Sequence, residues 1–78
     1  MKIPLSIAQK IHLEEQHRVE HDGRNRDRIK AVLLNDKGWT YKQIAEALLI
    51  HETTVWGHLS DYLREEKLKQ IVVEREAN

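Results

Sequence analysis

The stretch TYKQIAEALLIHETTVWGHLSDYLR, residues 40–64, decides the fold. Thr40 and Gln43 stand three apart ahead of apolar residues, the spacing of a capping box that starts a helix. Ile44, Ala45 and Leu48 then recur at helical spacing and form an inner face. Leu49-Ile50-His51 breaks the pattern. Val55, Leu59, Tyr62 and Leu63 resume it along one side of a second helix. Two helices separated by about three residues are what a helix-turn-helix requires. The sharper cue is a small residue, Ala45, ten positions before β-branched Val55, with Ile50 between them. Small Ala45 suits the crossing of the two helices, Ile50 plugs the turn, and Val55 and Leu59 anchor the second helix.

Working outward, Gly38 sits where a left-handed helix end is wanted. The helix it ends runs from about Arg24 to Lys37, with Ile29, Val32 and Leu33 inward. Asp22-Gly23 separates that helix from an earlier one. The earlier helix starts at Ser6 with a box to Gln9, and it carries Ile7, Ala8, Ile11 and Val19 on one face. Strand signals are absent, so the chain reads as all-α: a small helical bundle containing a helix-turn-helix. Residues 1–64 are expected to form the domain, with the motif at about 40–64. Residues 65–78 follow as a C-terminal helical tail.

With 78 residues this is one small domain, or one domain with a tail. Apolar residues at 40% and charged residues at 33% suit a helix-rich globular chain rather than disorder. Lacking cysteine, the chain can form neither disulfides nor thiolate metal sites. No apolar run approaches the ~18 residues of a membrane span, and Met-Lys-Ile-Pro-Leu-Ser is no signal peptide. A cytoplasmic location without membrane contact is the expectation. The net charge is zero, which excludes a uniformly basic coat but hides an uneven distribution. Residues 17–42 hold seven basic against four acidic groups, net +3, while residues 43–78 hold four against seven, net −3.

The run RDRIKAVLLNDKGWTYKQIAEALLIHETTVWGHLSDYL resembles the N-terminal DNA-binding region of insertion-sequence transposases related to the mariner-like group, and so implies a homeodomain-like helix-turn-helix. Thr40-Tyr41, Ile44-Ala45, Leu48, Ile50, Thr54-Val55 and Leu59 carry the match, over about half the chain. The resemblance implies a domain that binds the inverted-repeat ends of an element. The family's separate acidic-triad nuclease has no room in a chain of this length, so binding of double-stranded DNA without strand cleavage is implied. The chain departs from the family pattern in three ways. Leu49 stands where the turn usually has glycine, which forces another turn or mild strain. His51 replaces a serine cap, and histidine caps poorly. The recognition helix, arginine-rich in the family, here carries Glu52, Gly57, Ser60 and Asp61, with only Arg64 positive.

At 100° per residue, the face opposite Val55 and Leu59 holds Thr53, Gly57, Ser60 and Arg64, with Thr54 and Trp56 flanking it. Thr53, Thr54, Trp56, Gly57 and Ser60 are therefore expected to face a DNA groove, with Arg64 at its margin. Threonine can hydrogen-bond bases or touch a thymine methyl, and Glu52 can accept from cytosine N4. Arg24, Arg26, Arg28, Lys30, Tyr41 and Lys42 are the expected phosphate contacts and supply most of the affinity. The bland alternative for the arginine cluster is a solvated helix start offset by Asp22 and Asp27.

Trp39 is expected in the core under the turn. Trp56 is either a contact to DNA or partner, or a partly buried anchor. His17 and His21, with Glu14, have a zinc-compatible spacing but no fourth ligand, so surface histidines are expected and no metal. No nucleophile, phosphate loop or placed acid–base pair is visible, so neither enzymatic activity nor a cofactor is expected. In the tail, Leu68, Ile71 and Val72 share a face. On an unbroken helix they would lie about 180° from Val55 and Leu59. Either the helix breaks near Arg64-Glu65-Glu66, or this face meets a partner, most simply a second copy. The rival function is a protein-interaction or dimerisation module that has lost DNA binding, using Trp56 and the tail.

Overall fold

Helices begin here where the sequence offers a side-chain acceptor for a free backbone N–H. The computed structural model describes the backbone of residues 3–77 and the side chains of residues 3–66. It contains α1 (Ile7–Val19), α2 (Gly23–Asp36), α3 (Tyr41–Leu48) and α4 (Glu52–Ala77), and no strand among the described residues. Ser6 Oγ accepts from Gln9 N–H at 3.1 Å, and Gln9 Oε1 accepts from Ser6 N–H at 2.9 Å. Thr40 and Gln43 repeat the box at 3.1 and 2.9 Å. Asp22 caps α2 by accepting from Asn25 N–H at 3.0 Å. These side chains satisfy N–H groups that the first turn of a helix leaves without partners. At the other end of α2, Gly38 takes φ 95°, the left-handed region expected of it.

The central element is α2. It packs against α1 on one side and against α3 and α4 on the other. This explains why its buried set is wider than one stripe: Ile29 and Val32 as expected, but also Ala31 and Asn35. Leu33 is half-buried against that core. Asn35 has a defined partner, since its Oδ1 accepts from Ile3 N–H at 2.8 Å and so holds the segment before α1 down. Ile44 and Ala45 from α3 and Val55, Leu59 and Tyr62 from α4 complete the core, with Leu48, Ile50 and Leu63 packed around it. The helix-turn-helix core is therefore the one expected.

Two expectations are corrected. Ile7, Ala8, Ile11 and Val19 do not form the inner face of α1. Ile7 is 79% exposed, Val19 68% and Ile11 51%. The buried residue of this helix is Leu13. A helix on the outside of a bundle buries only a narrow strip, and Ile3 and Leu5 fill the rest of the space ahead of it. Trp39 is likewise not in the core but 40% exposed, while Leu34 and Tyr41 on either side of the turn pack against the core in its place.

Of the two alternatives for the C-terminal region, a break near Arg64-Glu65-Glu66 is not what forms. α4 runs through these residues as one helix of 26 residues. Leu68, Ile71 and Val72 lie outside the described side chains. No helix is long and apolar enough to cross a membrane among the described residues.

Candidate nucleic-acid interface

The turn between α3 and α4 sets the angle at which α4 is presented. Leu49 ends α3 in the left-handed conformation, φ 57° and ψ 43°. Its side chain is 90% exposed, so packing does not offset the strain. Ile50 follows, its N–H donating to Ala45 O at 3.0 Å, and packs on the core. Buried Ala45 and Val55 then allow the two helices to cross closely.

His51 caps α4 after all, through its ring. Thr53 N–H donates to His51 Nδ1 at 3.3 Å, and Thr53 Oγ1 lies 3.0 Å from the same nitrogen. Imidazole nitrogen here replaces the serine oxygen of a conventional cap.

From this start α4 turns Val55, His58, Leu59 and Tyr62 inward. Thr53, Thr54, Trp56 and Arg64 are exposed on the other side, and Gly57 and Ser60 are half-buried. Trp56 is 56% exposed. A Cβ built on Gly57 meets nothing within 4 Å, so no packing inside the protein requires glycine there. Glycine in a helix interior costs about 1 kcal/mol relative to alanine. Arg64 is held by Asp61 at 2.7 Å, one turn back on the same helix.

The basic cluster divides in two. Arg26 and Lys30 lie on the α1 side, where their charges help to lower the pKa of His17 after desolvation. Arg24 and Arg28 lie on the α4 side, near His58. Arg28 also pairs with Glu65 at 2.8 Å and is mostly enclosed. Arg24 and Lys42 are exposed, and Tyr41 is half-buried against the core. The four cations of α2 therefore do not make one clamp, because residues two apart on a helix point to different sides.

Sequence reasoning missed His58, which is only 5% exposed between α2 and α4. Burial pushes its pKa below the ordinary value. Asp27 and Asp61 oppose that shift, while Arg24 and Arg28 reinforce it. The signal was available, since His58 is three residues after Val55 and four before Tyr62, on the inner line. As for the other histidines, α1 ends at Val19 and Glu20 is extended. His21 therefore does not share a helix face with His17. The Nε2 of His17 is buried without a hydrogen-bond partner among the described residues.

A family model described as a homeodomain-like domain matches residues 22–71, which takes in α2, α3 and most of α4. Comparison with curated proteins and with solved structures returns no match.

Proposed function

The chain belongs to the homeodomain-like family of helix-turn-helix domains, and on that premise we propose that it binds double-stranded DNA with sequence preference. α4 enters the major groove, presenting Thr53, Thr54, Trp56, Gly57 and Ser60, with Arg64 at the edge. Arg24 and Lys42, together with Arg26 and Lys30, neutralise phosphates along the flanks. The observation that carries this reading is the open face of α4, where a glycine that nothing in the fold requires leaves room for close approach. Arg28 and Arg64 contribute less charge, since each already faces a carboxylate.

The resemblance to transposase end-binding domains supports a role at DNA ends without cleavage. No catalysis is assigned to this chain, and its place of action is the cytoplasm. A homodimer through Leu68, Ile71 and Val72 fits this use, because paired helix-turn-helix domains read two half-sites at once. Replacing Leu68 and Ile71 by glutamate in the full chain should halve the mass seen by light scattering. A monomeric parent, or a mass unchanged by the substitutions, rejects a dimer through this face.

The test of the DNA reading is Gly57→Glu. The substituted side chain meets open space in the free protein, so the helical signal should persist. It places a carboxylate against the groove, and duplex affinity should fall at least ten-fold. Undiminished binding removes α4 from the interface.

A further inference from the structure

We propose that His51 fixes the Thr53 hydroxyl as a hydrogen-bond acceptor, so that the start of α4 selects a base carrying an amino group in the major groove. The inference rests on the DNA-binding reading and names what that site prefers. Two groups of Thr53 converge on one ring nitrogen: its N–H donates to His51 Nδ1 at 3.3 Å, and its Oγ1 lies 3.0 Å from the same atom. A backbone N–H can only donate. Nδ1 therefore carries no proton, and the ring is the tautomer with its hydrogen on Nε2. The same lone pair then receives the Thr53 O–H. With its one hydrogen turned back toward His51, Thr53 Oγ1 offers only lone pairs outward.

A free threonine hydroxyl reads either partner, because it can donate or accept. The one held by His51 cannot. Facing a major groove, it pairs with adenine N6 or cytosine N4, the two amino donors there, and not with guanine or thymine, which present acceptors at the same edge. Exposed Glu52 beside it is a second acceptor of the same sense. His51 acts here as a positioning residue, and its outward Nε2–H remains a donor suited to a phosphate oxygen.

The test is selection of bound duplexes from a randomised library by the full chain, followed by affinity measurement on the selected site. One column should be restricted to adenine or cytosine. Converting that pair to guanine or thymine should weaken binding about three- to ten-fold, the worth of one net hydrogen bond. Thr53→Val should abolish the preference and Thr53→Ser should keep it. His51→Ala should broaden the column to all four bases. His51→Asn should restore it, because the asparagine carbonyl accepts from the same two donors. Helical content of each variant is read in parallel. If duplex is bound at low salt but no such column appears, or His51→Ala leaves it intact, the inference is overturned while DNA binding stands. No binding of any duplex at low salt overturns the DNA reading itself, and this inference with it.

Discussion

Leu49 carries two local costs at once: a left-handed backbone without glycine and an almost fully exposed apolar side chain. For an L-residue that conformation costs roughly 1–2 kcal/mol. Leu49→Gly should therefore raise stability by about 1 kcal/mol, the entropy of glycine offsetting part of the gain. A denaturant midpoint that moves up with an unchanged slope checks this. A fall would mean that the Leu49 side chain makes contacts of real worth. His58 supplies a second prediction. Its pKa lies below the ordinary 6.5, so the unfolded chain takes up its proton first as pH falls. The stability contributed by neutral His58 is complete above 6.5 and is lost progressively as pH falls from there through its lower folded value. His17 shifts in the same direction. The melting temperature should fall between pH 7.5 and 5.5, and His58→Met should flatten that fall without removing it. A parent chain whose melting temperature is level over this window contradicts the burial of a neutral His58. At this scale the sequence was legible wherever a cap depends on side-chain type, as at Ser6 and Thr40. It was less so at His51, where geometry decides which ring nitrogen turns to the backbone.

How legible each element was depends on how it packs. α3 and α4 press on each other and on α2, so their inward residues repeat with helical spacing and could be read directly. α1 has one broad contact, along α2, supplemented by the Lys10–Asp36 ion pair at 3.0 Å and by Gln9 donating to Glu66 of α4 at 3.4 Å. Its apolar residues therefore need not face inward, and Ile7, Ile11 and Val19 misled. For α2, a helix packed on two sides buries small and polar residues that a single-stripe reading passes over. Ala31 and Asn35 are such residues. The crossing of α3 and α4 gives the element-scale prediction. Ala45 is 6% exposed where the helices meet. Ala45→Leu should overpack the crossing and cost about 1–3 kcal/mol, seen as a lower melting temperature. Tolerance of leucine there would mean that the helices do not meet at this residue.

The molecule as a whole is electrically neutral yet asymmetric. Its basic middle lies on α2 and at the start of α3, while α4 brings Glu52, Asp61, Glu65 and Glu66. The fold brings part of this charge together as Arg28–Glu65 and Arg64–Asp61 pairs and a Lys10–Asp36 pair at 3.0 Å. What remains for phosphates is a smaller set than the sequence count suggests. Sequence could give the number of cations, but not which of them the neighbouring helices would occupy. Under the proposed reading, this surface offers DNA only moderate charge, and its choice of site depends more on the hydroxyls of α4 than on arginine contacts.

The most direct test of this account is the affinity of the full chain for mixed-sequence duplex DNA across a salt series. With about three or four phosphates neutralised by Arg24, Arg26, Lys30 and Lys42, the logarithm of affinity should fall against the logarithm of salt with a slope of about −3. Arg24→Glu should lessen that slope by about one. Binding that ignores salt, or no binding even at low salt, would contradict the assignment of this helix-turn-helix to DNA.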